Sequence, residues 1–431
     1  MKKIISIVAI FSFIFSSIAP AFAGPNDATW DGGGADAYWA TSANWAGDPG
    51  TVPTSGDVAT FANAGGIDDT VNLNTTRTIG SIIFDNASTT LAAYTIGAGA
   101  VNNDALTLDA GGAITMNSNV VNDQTFNSSV TLVGAGSFIN NSTTAASDLI
   151  FNGEVTSLSG DLTVTAPTGS IIFNSSTNEI SSLGDVTSTG GAFELTNTHA
   201  LLLNGVFNAE GQNVTIDNGN NELTFTANNF TGVDVTLTAS TLTNLNLVPT
   251  LDISGALTVK PSDINSTIGL GNLSAGTFNL SDTEISKIKN SGATSITIGT
   301  TGSVGELDLG TAVNFAGKVV TLNSGQINTA DVTKIISADS LTLNLKSETG
   351  GNVVKTNVDH LIVDTSNATG AANQALTVTE SNGIDLGAIT LGAGNLSVTD
   401  TLGAITQTTG AAITTTGTAN FVTSAVNQAI T

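Results

Sequence analysis

A chain of 431 residues without a single cysteine has no disulfide framework and no thiol chemistry, so its stability must come from many repeated weak contacts. Only 10% of its residues are charged, and 35 acidic residues stand against ten basic ones, a balance that excludes nucleic acid and anionic lipid headgroups as partners. A 40% hydrophobic content, with Ile, Val, Leu and Phe well represented, excludes a disordered chain.

Residues 1–23 read as a secretory signal peptide. Met1, Lys2 and Lys3 form a positive start, Ile4 to Ile18 is almost unbroken apolar sequence, and Ala21-Phe22-Ala23 precedes Gly24 as a small-x-small cleavage site. The apolar run is too short to span a membrane, and no later run approaches the ~18 apolar residues a spanning helix needs. The expected mature chain is exported and carries eight basic residues against 35 acidic ones, a formal charge of −27. Before Lys260 its sole basic residue is Arg77.

Residues 24–100 are expected to hold an N-terminal cap and the first coils of a solenoid. The stretch "TWDGGGADAYWATSANW", Thr29 to Trp45, contains all three tryptophans and one of the two tyrosines. The open end of a stack of strands invites pairing with another chain, and terminal repeats are accordingly atypical. Trp30, Trp39 and Trp45 suit such a lid, with Gly32 to Gly34 as a flexible turn. The alternative for these rings is a carbohydrate-stacking platform.

Residues 101–431 are expected to form the shaft. Alternating apolar and polar residues recur in short runs along the chain, separated by Gly, Asn, Asp or Ser. The commonest unit is apolar-Thr-apolar, as in Leu106-Thr107-Leu108, Val130-Thr131-Leu132, Val214-Thr215-Ile216, Leu257-Thr258-Val259 and Leu341-Thr342-Leu343. It places two apolar side chains on one face and a hydroxyl on the other. Several of these units recur every ~20 to 25 residues, the spacing of solenoid coils. Phe126-Asn127, Phe151-Asn152, Phe173-Asn174, Phe207-Asn208 and Phe278-Asn279 suggest an internal Phe stack with an Asn ladder at one corner. The fold these patterns predict is all-β: a right-handed parallel β-helix (β-solenoid) with an aromatic N-terminal cap. At ~22 residues per coil it would have about 18 coils and a length of roughly 90 Å. A β-sandwich array would need many hairpin turns, and Asn204-Gly205 and Asn382-Gly383 are too few.

Two stretches resemble known families. "WATSANWAGDPGTVPTSGDVATF", Trp39 to Phe61, resembles the start of the strand-repeat units of autotransporter passengers, which share a Trp-rich opening, an Asn-Trp, a Pro, a Gly-Asp and a Phe. Here these are Asn44-Trp45, Pro53, Gly56-Asp57 and Phe61. "LSDTEISKIKNSGATSITIG", Leu280 to Gly299, is similar to the repeat of the filamentous-haemagglutinin-like large exoproteins, an acidic short turn, an amphipathic bend and a strand. "TNVDHLIVDT", Thr356 to Thr365, and the run from Leu376 to Ala411 resemble further coils of that unit. The resemblance implies a surface-exposed bacterial β-helix used in adhesion. It also implies outer-membrane translocation machinery as a partner, with host-cell or neighbouring-cell glycans or proteins as ligands. The sequence departs from both families in lacking an Asn-Pro-Asn-Gly secretion signature and a C-terminal barrel, so a piece of a longer protein is expected, with the shaft incomplete at its C-terminus, the alternative being export by another route.

Candidate chemistry is thin. His199 and His360 are the only histidines; each is expected on a solvent-facing edge, and without cysteine they make no conventional zinc site. Asp68 and Asp69 would point to opposite faces of a strand. Asp282 and Glu284 would share a face beside Lys287 and Lys289 as a solvated charge cluster. No catalytic, cofactor-binding or metal-binding residue is assigned, and no cofactor is expected. The expected function is a secreted, surface-exposed adhesion or structural protein rather than an enzyme. The alternative is a β-helical polysaccharide hydrolase or lyase, which would need clustered carboxylates in a groove.

Overall fold

The computed structural model describes residues 26–46, 51–62, 69–85, 91–327, 331, 333–346, 350–368 and 374–431. The signal peptide read at 1–23 and Asp68 lie outside them.

The apolar-Thr-apolar units become parallel strands, and each pairs with the strand one coil away, which over the first coils is not its neighbour in sequence. Over the first coils three such sheets surround one core. One runs through Val58–Phe61, Ser81–Phe84, Ala113–Met116, Gly136–Asn140 and Leu162–Ala166. A second runs through Thr70–Val71, Thr95–Ile96, Gln124–Phe126, Leu149–Phe151 and Ile171–Phe173. The third runs through Arg77–Ile79, Ala105–Leu108, Ser129–Leu132, Val155–Ser157 and Glu179–Ile180. From Phe193–Thr196 onward another long parallel sheet continues the stack to Ala419–Thr423. The predicted β-solenoid is the observed fold.

Burial follows the alternation. In Ala105–Leu108, Ala113–Met116 and Ser129–Leu132 the even positions are buried and the odd ones half-buried. Outward threonines therefore fall into columns: Thr215, Thr236, Thr258, Thr297, Thr321 and Thr342 are register partners across six successive strands. Threonine suits a half-exposed strand site, and Thr–Thr neighbours add roughly 0.2–1 kcal/mol per pair. Inside, Phe151 stacks on Phe126 at 5.1 Å and on Phe173 at 5.7 Å between ring centroids, and Phe138 of a second sheet closes on it at 4.2 Å. Burying each ring is worth about 1.5–3 kcal/mol, and stacking adds about 0.5–1.5.

The corner ladder exists where the Phe stack does. Asn152 Nδ2 donates to Asn127 Oδ1 at 2.9 Å, and Asn174 Nδ2 donates to Asn152 Oδ1 at 2.8 Å. Phe207-Asn208 and Phe278-Asn279 do not join it. Phe207 belongs to another sheet and stacks on Phe230 at 4.5 Å, while Phe278 lies in an insert. The dipeptide alone does not say which corner of the coil it occupies. A second ladder is fully internal: Asn197 Nδ2 donates to Asn218 Oδ1 at 2.8 Å, and Asn197 Oδ1 accepts the Ile180 N–H at 2.8 Å.

The solenoid has about 15 turns, fewer than predicted, and is thus ~72 Å long at ~4.8 Å per coil. Coil length varies, which the uniform estimate missed. Register partners Phe193 and Val214 are 21 residues apart, Ile82 and Ile114 are 32 apart, and Leu257 and Ile296 are 39 apart. The longest excursion adds a small sheet of Ile268–Leu270, Phe278–Leu280 and Leu307–Leu309, together with helix α1, Asp282–Lys289. That helix corrects the reading of this segment as a bend. Ser281 caps it, accepting the Glu284 N–H while Glu284 Oε2 accepts the Ser281 N–H at 2.9 Å.

At the N-terminal end Ala28–Trp30 pairs in parallel with Val58–Phe61 and antiparallel with Trp45–Ala46. This is the only antiparallel pair among the described strands, and it closes the sheet edge that a further coil would otherwise occupy. Trp30, Trp39 and Trp45 are 0–3% exposed and pack edge-on, Trp39 to Trp45 at 4.7 Å and Trp30 to Trp45 at 5.1 Å, over Phe61. Rings so enclosed offer no face to a sugar, so the lid reading holds and the platform reading does not. The glycine turn is held in place: a Cβ on Gly34 would lie 2.4 Å from Asn44 Oδ1, which accepts the Gly34 N–H at 2.8 Å. The hairpin expected of a sandwich is absent at Asn204-Gly205, where Gly205 packs against the backbone of Asp185 one coil away.

Candidate functional site

Carboxylates in a groove are the feature a polysaccharide-active site requires, so their placement decides where to look. Many described ones are spent on joining coils. Asp27 Oδ1 accepts the Val58 N–H at 2.7 Å, Asp148 Oδ1 that of Ser170 at 2.8 Å, Asp185 Oδ1 that of Val206 at 2.8 Å and Asp234 Oδ1 that of Ala256 at 2.7 Å. Each acceptor satisfies a backbone donor 21 to 31 residues later, where the next coil enters its strand. Charge-assisted bonds of this type are about twice as strong as neutral ones. Asp57 plays a related part within the cap, accepting from Thr54 N–H at 2.8 Å and from Asn26 N–H at 3.2 Å while 1% exposed. No three His, Asp or Glu side chains converge on a metal-sized point among the described residues.

The two histidines do not meet. Seven strand steps separate the strand before His199 from the one carrying His360, roughly 34 Å at ~4.8 Å per step. His199 is exposed in a turn, as expected. His360 is half-buried and paired, which differs from its expected free exposure. Its Nδ1 lies 3.0 Å from Asp385 Oδ2, its register partner on the next coil. Thr406 Oγ1 donates to Asp385 Oδ1 at 2.9 Å, and Thr408 Oγ1 donates to Asp385 Oδ2. The partner sits 25 residues away, so only the coil register brings the pair together.

A His, an Asp and a Thr in contact call for a test against nucleophilic catalysis. An activated hydroxyl must bond one ring nitrogen while the carboxylate orients the other. Here Thr408 and Asp385 both face Nδ1, and Nε2 rests over Gly387, where a Cβ would come within 2.7 Å. The cluster is a polar clasp between coils. The Thr408 hydroxyl, above all, holds the Asp385 carboxyl below its usual range; Thr406 and His360 add to this and partial burial opposes it. A lowered folded value means the stabilisation is complete above the unfolded carboxylate range and is lost as pH falls through the lowered value. Asp385→Asn should therefore cost less than about 1 kcal/mol at neutral pH, given its exposure, and nothing once the pH is below that range. Denaturant unfolding of both proteins at several pH values reads this difference.

A shallow depression of about 170 Å³ lies between helix α1 and the strand Val313–Ser324. Asp282, Ile285 and Lys289 line it with Val313 and Asn314. Its charged groups are engaged: Asp282 Oδ1 accepts the Thr311 hydroxyl at 2.6 Å, and Lys289 Nζ donates to Asn314 Oδ1 at 3.1 Å. Asp282 and Glu284 were expected on one strand face beside Lys287 and Lys289. On a helix, residues two apart point away from each other, and Glu284 is buried in the capping box. The sequence reading missed Glu380 and Asp400, both fully buried. The available signal was an acidic residue at an inward position of an alternating strand, in "LTVTE" and "LSVTD".

A family model described as repeats of unknown function (DUF5649) matches residues 372–431, which include the coils bearing Glu380, Asp385 and Asp400. No curated protein and no solved structure matches the chain. The chain is thus a repeat-containing β-solenoid protein.

Proposed function

We propose that this protein is the β-helical shaft of a secreted, surface-exposed bacterial adhesin or large exoprotein, of the autotransporter-passenger or filamentous-haemagglutinin-like kind. The observation that carries the reading is the commitment of its polar side chains to neighbouring coils: Asp, Asn and Thr groups form inter-coil bonds along the length of the stack, and what they build is a rod. A rod works by reach and repetition. Weak contacts made along its Thr-rich faces add through effective concentration, so surface glycans or proteins of a neighbouring or host cell are the partners in this reading. The resemblance of Trp39 to Phe61 to passenger repeats supports export through an outer membrane. The engagement of many described carboxylates favours a non-catalytic role over a polysaccharide hydrolase or lyase.

External protease applied to intact cells, followed by an immunoblot against residues 24–431, tests the placement. Loss of the antigen while a cytoplasmic marker survives is the expected result. An antigen protected together with that marker, and absent from the medium, would overturn the reading.

A further inference from the structure

In the coils that follow the long strand Asn352–Asp364, three polar side chains stack in register inside an otherwise apolar core. Thr356 pairs with Glu380, and Glu380 pairs with Asp400, across adjacent parallel strands. All three are fully buried. The inward column beside them, Val354, Val378 and Val398, is aliphatic. Parallel neighbours lie ~4.8 Å apart, so Glu380 has a hydroxyl on one side and a carboxyl on the other.

One oxygen of this column, Asp400 Oδ2, has no hydrogen-bond partner, while the Thr356 hydroxyl faces the Glu380 carboxyl. The remaining ones are engaged. Glu380 Oε1 accepts from the N–H groups of Ser381 at 2.6 Å and Asn382 at 3.2 Å, and Oε2 accepts from that of Val358, at 3.2 Å. Asp400 Oδ1 accepts from the Leu402 N–H at 2.9 Å. What the column lacks is a donor to Asp400 Oδ2, and a single proton on its register partner Glu380 supplies it. We propose that Glu380 is a carboxylic acid in the folded protein and that its Oε2–H donates to Asp400 Oδ2, fastening the coil of Leu376–Glu380 to that of Leu396–Asp400.

Burial acts in the same direction, driving the Glu380 carboxyl above its ordinary range against the pull of the N–H groups and the Thr356 hydroxyl that bond it. Among the described residues no other charge faces the column. Lys355, Asp359, His360 and Asp364 on the strand below, and Asp385 on the strand that follows, occupy outward positions, and Ala419–Thr423 beyond carries no charge. A raised folded value has a definite sign: the stabilisation is complete below the unfolded carboxylate range and is lost as pH rises through the folded value. The distal coils thus tighten in acid, opposite to the response of the Asp385 clasp.

The test is a carboxyl-carbon NMR titration of the full chain labelled at Glu, with Glu380→Gln to assign the signal and Asp400→Asn to probe the shared proton. The expected midpoint for Glu380 lies above that of an ordinary glutamate, and Asp400→Asn lowers it, because the new amide can donate to an ionised Glu380. A Glu380 midpoint in the ordinary range, or one indifferent to Asp400→Asn, would overturn the proposal. Hydrogen exchange of the unmodified chain decides the matter independently of either variant. Corrected for intrinsic rates, protection in Leu376–Glu380 and Leu396–Asp400 should fall as pH rises from the ordinary carboxylate range through the raised Glu380 value, and constant protection there counts against the shared proton.

Discussion

Trp39→Ala should destabilise the first coils by about 3–5 kcal/mol, the cost of emptying a buried aromatic site that has little room to collapse. Trp39 is 0% exposed, with Trp45 at 4.7 Å and Phe61 at 6.1 Å from its ring. It is also the hydrogen-bonding hub of the lid. Its indole N–H donates to the Pro53 carbonyl at 3.2 Å, and its own carbonyl accepts the Trp45 indole N–H at 2.7 Å. Truncation removes ring contacts and leaves the Pro53 carbonyl without its donor, and the antiparallel strand Trp45–Ala46 loses its anchor. Faster hydrogen exchange in Val58–Phe61 and Ser81–Phe84 is the expected readout, with a rise in concentration-dependent association as the sheet edge opens. Unchanged protection in those strands would show that the lid does not hold the end of the rod.

The lid was legible because its chemistry is local. Asn44, Pro53, Asp57 and Phe61, the residues that carry the family resemblance, are those that clamp the glycine turn, accept the Trp39 N–H, bind Thr54 and floor the ring cluster. The strand columns were legible for the same reason, since Thr between two apolar residues fixes inward and outward faces within three positions. What escaped the sequence is set by register between coils. His360 meets Asp385, and Glu380 meets Asp400, only because their coils happen to be 25 and 20 residues long at those points. Where an excursion stretches a coil to 39 residues, an assumed uniform period places every later pair wrongly. Helix α1 was hidden differently: its short amphipathic run fits a strand-and-bend reading until Ser281 and Glu284 are recognised as a capping box.

Phe151→Ala carries the other large effect, and its interest lies in how far the damage spreads. Phe151 is 0% exposed and touches Phe126, Phe138 and Phe173, so the expected local cost is again about 3–5 kcal/mol. In a globular domain with one cooperative core that loss is felt everywhere. A solenoid coil contacts only its neighbours, so stability is close to a sum of coil terms and nearest-neighbour interfaces. The loss should therefore appear as roughly a hundred- to several-thousand-fold faster exchange in Gln124–Phe126, Leu149–Phe151 and Ile171–Phe173, a tenfold change for each 1.4 kcal/mol. Strands such as Leu396–Asp400, many coils away and sharing no partner with Phe151, should exchange as before. A uniform loss of protection from one end to the other would mean that the rod unfolds as a single unit. The side-chain bonds that run from coil to coil, from Asp27 to Val58 and from Asn395 to Thr418, would then be strong enough to couple what the apolar core leaves independent.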